Sequence, residues 1–112
     1  MWSGWFVFEI FDKVAQGIEK KPEKVKEVDA VYLFRISGKE GGIFHVDLKN
    51  RPGVSREEKE ADCVLDISDR DFLKLFKGTL QGHKALLTGK LKVKGSIELV
   101  AKLKRIFDNA RS

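Results

Sequence analysis

Few side chains in this sequence have the types and spacing that covalent chemistry requires. The two histidines, His45 and His83, and the one cysteine, Cys63, do not have the spacing of a zinc site. The sequence contains no Gly-Lys-Ser/Thr phosphate loop, no Gly-x-Gly-x-x-Gly turn and no Gly-x-Ser-x-Gly nucleophile elbow. We therefore predict no metal, no cofactor and no catalytic residue.

A group of aspartates is the remaining candidate for acid–base or metal chemistry. Residues 62–68 alternate strictly, which predicts a strand with Cys63, Leu65 and Ile67 inward, and Ser68 then begins a helix as its N-cap. Strand alternation and helix capping account for the aspartates better than chemistry does. The four residues concerned are Asp62, Asp66, Asp69 and Asp71.

Composition favours one domain with an oily interior. The 112 residues are 42% hydrophobic and include eight Phe but one Tyr, which suits a core with few polar groups. The formal net charge is +5, but arginine is scarce and the lysines are interpreted as a solvated face, so no nucleic acid partner is expected. A single thiol, Cys63, is interpreted as an apolar filler and favours a reducing compartment.

Periodicity predicts a helix followed by a hairpin. Val7, Phe11, Val14 and Ile18 share one helical face, with Ser3 as the expected N-cap, and the helix should end at proline 22. Residues 28–37 and 43–49 alternate as two strands around a glycine-rich turn, with one face in the core and the other in water. The inward residues are Tyr32, Phe34, Ile36, Phe44, Val46 and Leu48, and His45 is placed on the polar face.

The second half predicts a short edge strand within residues 51–60, the strand at 62–68, and then mostly helices. The helix after Ser68 has a stripe of Phe72, Leu75 and Phe76 and ends at Gly78. A short helix at 81–88, a strand at 90–94 and a helix at 97–109 follow, the last burying Val100, Leu103 and Phe107. Clustered strands followed by helices predict an α+β fold.

The first residues are apolar but fit no targeting signal. Glu9 and Asp12 interrupt the stretch early, so neither a secretory signal nor a membrane span is expected. The last residues, Ala-Arg-Ser, are not a standard peroxisomal signal, so a soluble cytoplasmic protein is expected, with a peroxisomal location as the alternative. One helical face cannot bury all the aromatic residues near the start of the sequence, which are Trp2, Trp5, Phe6 and Phe8. They form an exposed patch for membrane docking or homodimer contact, or alternatively they pack onto the core.

Two stretches resemble the sterol carrier protein type 2 domain family. They are ADCVLDISDRDFLKLFKG at residues 61–78 and GKLKVKGS at residues 89–96, continued by LVAKL at 99–103. YLFRI at 32–36 and VDLK at 46–49 are similar to the family's first hairpin, so the resemblance covers residues 14–103. It implies a single five-stranded, mostly antiparallel sheet covered on one face by four or five helices, with an apolar tunnel between sheet and helices.

The resemblance further implies an intracellular carrier that binds fatty acids, fatty acyl-CoA, sterols or phospholipids and transfers them between membranes. Lys26 is proposed to meet a carboxylate head group. A solid-core interaction or membrane-targeting module remains the alternative, and a thioesterase lacks a visible nucleophile–base pair. The predicted lining residues are Val14, Ile18, Phe34, Phe44, Val46, Leu48, Phe72, Leu75, Phe76, Leu99, Leu103 and Phe107.

Overall fold

The computed structural model describes residues 6–111, in which six helices and five strands follow one another. The elements are α1 (Val7–Lys20), α2 (Pro22–Lys26), β1 (Val31–Ser37), β2 (Gly42–Asp47), β3 (Gly53–Ser55), β4 (Cys63–Ser68), α3 (Asp69–Lys77), α4 (Gly82–Leu87), β5 (Leu91–Gly95), α5 (Glu98–Ala101) and α6 (Leu103–Arg111).

The strands form one sheet in the order β3-β2-β1-β4-β5. The β1–β2, β2–β3 and β4–β5 pairs are antiparallel, whereas β1 and β4 are parallel. A parallel pair needs a crossover connection, and here the chain supplies it through β2, β3 and the following loop. The prediction of an α+β fold with a five-stranded, mostly antiparallel sheet is confirmed, although the helices number six.

One face of the sheet is the floor of the hydrophobic core. Phe34 lies opposite Phe44 on β2 and opposite Leu65 on β4, so the three side chains point to the same side. Cys63 is fully buried there, and Ile67 continues the row. The inward alternation predicted for β1, β2 and β4 is confirmed by this cluster, into which buried residues of the helices also pack.

The opposite face of β1 and β2 is partly covered, contrary to the prediction that it meets water. Leu33 is only 3% exposed and His45 only 6%. The loop between β3 and β4 reaches His45, since the carbonyl of Glu60 lies 2.9 Å from His45 Nε2. Arg35 on the same face pairs with Asp66 at 3.5 Å. Burial of His45 therefore depends on a chain segment 15 residues away.

Helix α3 begins and ends where the sequence predicts. The Asp71 amide donates to Ser68 Oγ at 3.1 Å, which caps the helix start. Gly78 adopts a left-handed φ of 85° and ends the helix, a conformation that glycine reaches without strain.

The first helix begins later than predicted. Its N-cap is Phe6, whose amide donates to Glu9 Oε1 at 2.8 Å, while Ser3 lies outside the described residues. Pro22 ends α1 as expected, but it also begins α2 as its first residue, a position where a missing amide proton is harmless. Strand β1 begins at Val31 rather than at residue 28, after Asp29 turns the chain with a positive φ of 48°.

The predicted helix at 97–109 is two helices that meet at Lys102. The Lys102 amide donates to the Leu99 carbonyl and the Arg105 amide donates to the Lys102 carbonyl. These hydrogen bonds span three residues, as in a 3₁₀-helix, instead of the four of an α-helix. The Lys102 ammonium donates to the Val28 carbonyl at 3.2 Å. A long-range contact thus holds the residue at which the two helices meet.

A chain of hydrogen bonds fastens the start of α1 to the β1–β2 turn and to α3. Glu40 Oε1 accepts from the Val7 amide at 2.9 Å, and the Glu40 amide donates to Asp69 Oδ2 at 3.1 Å. The Val7 amide lies in the first turn of α1, where it has no partner within the helix.

We expect Glu40→Ala to lower the free energy of unfolding by about 1–2 kcal/mol, because the partly buried Val7 amide loses a charged acceptor. Urea unfolding measures the loss. Glu57→Ala is the control, since Glu57 forms only an exposed pair with Lys59 and should change stability by less than about 0.5 kcal/mol. Equal effects of the two variants would contradict the anchoring role.

Candidate functional site

The candidate site is an apolar cavity between the helices of the second half of the chain. It has a volume of about 640 Å³, in the range of about 300–1,000 Å³ typical of ligand pockets. Its walls come from the end of α3, from α4, from α5 and from α6. The apolar lining residues are Leu75, Leu80, Leu86, Leu87, Ile97, Val100, Ala101, Leu103 and Phe107.

Most of the cavity wall comes from α4, α5 and α6, three short helices of the second half of the chain. Gly82 at the start of α4 lies against α5, and a Cβ added there would come within 2.9 Å of Val100 Cγ1. The two helices therefore lie close together at this point. Lys102 separates α5 from α6, and Leu103 and Phe107 of α6 bound the cavity.

The cavity also has polar groups, and most of them are basic. His83, Lys104 and Arg111 line it, and no acidic residue does. Arg111 is held by the Phe76 carbonyl and the Asp108 carboxylate, to which it donates, and its guanidinium lies 5.3 Å from the centre of the Phe76 ring. Within residues 6–111, Lys104 has no ion-pair partner. An apolar molecule with an anionic end suits this lining.

Of the lining residues predicted from the sequence, the structure places Leu75, Leu103 and Phe107 on the cavity walls. The other aromatic and aliphatic candidates lie in the packed core, and Leu99 packs beside it. Lys26 is exposed at the end of α2 and does not line this cavity. Contact of the core residues, of Leu99 and of Lys26 with a lipid stays a prediction. The core group comprises Val14, Ile18, Phe34, Phe44, Val46, Leu48, Phe72 and Phe76.

Aromatic rings fill the space between the sheet and helices α1 and α3. The Phe11 ring stacks on Phe44 with centroids 4.0 Å apart and on Phe72 at 5.2 Å. Phe34 meets both Phe11 and Phe72 edge to face at 5.1 and 5.8 Å. The cavity therefore lies within the helical layer, beyond these rings, rather than directly on the sheet.

Several cavity residues have no counterpart in the sequence prediction. Leu86 and Leu87 stand between two glycines in a helix too short to show periodicity, and Lys104 reads as a solvated charge. Ile97 is 62% exposed and Leu87 78% exposed, although both are large and apolar. The sequence signal that could have identified these residues is a pair of adjacent leucines in a helix of six residues, which cannot bury both side chains.

Three of the four aspartates considered for chemistry have structural roles. Asp62 accepts from the Val31 amide at 2.9 Å, Asp66 pairs with Arg35, and Asp69 accepts from the Glu40 amide. No group of three or more potential metal ligands occurs among residues 6–111. Within the same residues, no helix is long and apolar enough to cross a membrane.

Two buried groups remain protonated at neutral pH. Burial, and then the nearby Asp62 carboxylate, raise the pKa of the Cys63 thiol from 9.0 to about 11. The Tyr32 hydroxyl donates to the Leu99 carbonyl at 2.6 Å, and burial raises its pKa. A protonated thiol is a poor nucleophile, so Cys63 acts as the apolar filler that the sequence suggested.

The free energy of unfolding should fall as pH rises through the window from about 9 to about 11. Below about pH 9 the Cys63 thiol is protonated in both the folded and the unfolded state. Between about pH 9 and 11 the unfolded chain loses this proton while the folded chain keeps it, so unfolding becomes more favourable. Tyr32 acts in the same direction at higher pH. Urea unfolding from neutral to alkaline pH should give a shallower decline for Cys63→Ala, whatever its stability at neutral pH. Parallel curves for the two proteins would contradict the assignment.

Comparison with known proteins relates both the sequence and the fold to lipid carriers. The profile described as the SCP-2 sterol transfer family matches residues 11–108. Hydroxysteroid dehydrogenase-like protein 2 of Pongo abelii is 40% identical over 92 residues, which make up 78% of this chain and 22% of that protein. The chain thus spans less than a quarter of that relative.

Two solved structures share the architecture. The apo form of sterol carrier protein 2 from Yarrowia lipolytica is 31% identical and superposes with a TM-score of 0.83, covering 100% of this chain and 97% of that one. Palmitated SCP2L2 from Aedes aegypti is 27% identical, with a TM-score of 0.58 and coverage of 81% and 90%.

Proposed function

Because the chain belongs to the SCP-2 sterol transfer family, we propose that it carries single lipid molecules with their hydrocarbon part in the cavity between α3, α4, α5 and α6. The family resemblance inferred from residues 61–78 and 89–96 is confirmed, and the chain is a lipid-binding domain. Fatty acids, fatty acyl-CoA, sterols and phospholipids are the proposed ligands, and transfer between membranes is the proposed role.

The observation that carries the proposal is the apolar cavity of about 640 Å³ with basic groups in its lining. A solved relative with the same fold is described as palmitated, which makes a long-chain fatty acid the first ligand to test. The walls offer many aliphatic side chains and few hydrogen-bond partners, so selectivity among hydrocarbon chains should be weak.

The expected affinity suits reversible carriage. A C16 chain that buries about 14 methylenes gains roughly 11 kcal/mol at about 0.8 kcal/mol each. Association costs about 4–15 kcal/mol, so burial of the chain leaves at most about 7 kcal/mol, which corresponds to a Kd on the order of 10 μM. A carrier that binds at this strength can also release its ligand.

Native mass spectrometry of gently purified protein, followed by titration with a fluorescent fatty acid, tests the proposal. We expect a co-purifying lipid at one per chain and saturable binding in the micromolar range. Absence of both would favour the alternative, a solid-core interaction or targeting module, and would overturn the proposal.

The basic lining predicts a preference for ligands with an anionic end. Lys104→Glu should weaken fatty acid binding by about threefold to tenfold, since a charge near the carboxylate is reversed in a partly enclosed site. Binding of an uncharged sterol should change little. Lys26→Glu is the matched control, because Lys26 does not line the cavity. A larger effect at Lys26 than at Lys104 would place the head group elsewhere.

A further inference from the structure

One part of the cavity wall lies between two glycines. Seven of the fifteen residues that line the cavity belong to residues 78–89, a stretch that we call the α4 segment. Gly78 and Gly89 at its two ends have left-handed φ angles of 85° and 75°. A Cβ added at either glycine would meet no atom within 4 Å, so both ends lie in open space. Glycine can change its backbone conformation there at little cost, as a hinge requires.

Hydrogen bonds hold the α4 segment only to its own flanks. Among residues 6–111, the hydrogen bonds of residues 79–89 reach no farther than Lys74 on one side and Lys90 on the other. Within the same residues, no ion pair includes a member of the segment. The segment is therefore held in place by packing, mainly through the fully buried Ala85 and the half-buried Leu80 and Leu86.

The neighbouring walls are fastened by contacts with distant parts of the chain. The Tyr32 hydroxyl of β1 donates to the Leu99 carbonyl of α5 at 2.6 Å, and Lys102, before α6, donates to the Val28 carbonyl at 3.2 Å. A segment with few buried apolar side chains and only local hydrogen bonds opens at a lower free energy than the elements around it. The α4 segment is thus the wall of the cavity that opens most easily.

Two exposed apolar side chains give a bound lipid the means to hold this wall closed. Leu87 belongs to the α4 segment and Ile97 precedes α5, and both line the cavity although both are largely exposed. Movement of the segment onto a hydrocarbon chain would remove apolar surface of the protein and of the ligand from water together. A ligand that gains contacts in the closed state shifts the population towards it.

The aromatic patch predicted at the start of the sequence takes no part in this wall. Phe6 and Phe8 stack on each other with centroids 5.8 Å apart, and neither lines the cavity. Trp2 and Trp5, its other members, lie outside the described residues, so the role of the patch stays a prediction.

We propose that the α4 segment is a lid, which turns about Gly78 and Gly89 to admit a lipid and closes Leu86 and Leu87 onto its hydrocarbon chain. The inference rests on the proposed function for the identity of the ligand, whereas the hinges and the local fastening belong to the chain itself. Opening of such a lid sets the rates at which the ligand enters and leaves.

A disulfide between residues 82 and 100 would fasten the lid to α5. A Cβ added at Gly82 lies 2.9 Å from Val100 Cγ1, close to the separation of about 3 Å between a Cβ and the partner sulfur in a disulfide. We expect Gly82→Cys/Val100→Cys, loaded with a fluorescent fatty acid and then oxidised, to release it at least tenfold more slowly than after reduction with dithiothreitol. In the unmodified protein, whose one thiol is buried, dithiothreitol should not change the rate. Equal rates in the two redox forms of the variant would overturn the lid.

Restricting one hinge gives a test that needs no disulfide. Asn adopts the left-handed conformation but moves less freely than Gly, and the open space at Gly89 accommodates its side chain. We expect Gly89→Asn to slow release of the fatty acid severalfold. Gly53→Asn in β3 is the matched control, since Gly53 does not line the cavity and should leave the rate unchanged. Unaltered release from Gly89→Asn would contradict hinged opening.

Hydrogen exchange of the unmodified protein without ligand tests the lid independently of lipid binding. Ala85 is fully buried, so its amide exchanges when the segment opens. We expect protection of this amide to be at least tenfold lower than that of Phe107, a buried residue of α6, and to rise when fatty acid is added. Equal protection at the two residues would overturn the lid and leave ligand binding in the cavity intact. Low protection at Ala85 in a protein that binds no fatty acid would support the opening of the segment and overturn the proposed function instead.

Discussion

Replacement of Ala101 by Trp is expected to weaken binding of a long-chain fatty acid at least tenfold. Ala101 is the last residue of α5 and lines the cavity, so an indole at this position takes space that the hydrocarbon chain would occupy. Each methylene excluded from the cavity costs about 0.8 kcal/mol, and two of them account for about a tenfold loss of affinity.

The fold should tolerate this substitution, because Ala101 is exposed and packs into no core position. Thermal unfolding should therefore be nearly unchanged while the Kd rises. Ala15→Trp is the matched control, since Ala15 lies partly exposed on α1, away from the cavity. If Ala101→Trp binds as tightly as the unmodified protein, the ligand lies elsewhere, and the core residues predicted from the sequence become the next candidates.

The sequence predicts an element well when the deciding signals are local. Around α3, a capping serine, an alternating strand before it and a glycine after it all lie within residues 62–78, and the structure has the cap and the left-handed glycine as expected. The inward row of β1 and β2 follows from period-two alternation in the same way.

Prediction fails where a distant segment decides the outcome. His45 is buried because the Glu60 segment returns over the sheet, and the last helix breaks where Lys102 reaches the Val28 carbonyl. Neither contact leaves a pattern near the residue it affects. The predicted site and the cavity share Leu75, Leu103 and Phe107, whereas other walls belong to α4 and α5, helices of six and four residues that are too short to show periodicity.

Apolar composition alone cannot separate a packed core from a hollow one, because the same residue types line both. The distinction depends on whether the aromatic side chains contact one another, and here the Phe11 ring stacks on both Phe44 and Phe72. The sequence could therefore identify a Phe-rich interior and could not say that the open space lies beyond it, among Leu86, Val100 and Phe107.

Phe72→Ala should test that packing with a large loss of stability. Its ring contacts Phe11 at 5.2 Å, Phe34 at 5.8 Å and Phe107 at 5.8 Å, so it joins α1, the sheet and α6. Removing a fully buried ring costs about 3–5 kcal/mol through lost burial and the cavity left behind. That is a large part of the roughly 5–15 kcal/mol that holds a domain of this kind folded.

The size of this loss distinguishes a filled sheet–helix interface from an open one. If the Phe72 ring bordered an empty tunnel, its removal would break fewer contacts and the loss of stability would approach that of Phe8→Ala. The Phe8 ring is 54% exposed, so Phe8→Ala should lower the free energy of unfolding by less than about 1 kcal/mol. Urea unfolding of both variants gives the comparison. The Phe72 ring contacts the ring of Phe107, which lines the cavity. Phe72→Ala should therefore also weaken fatty acid binding under native conditions.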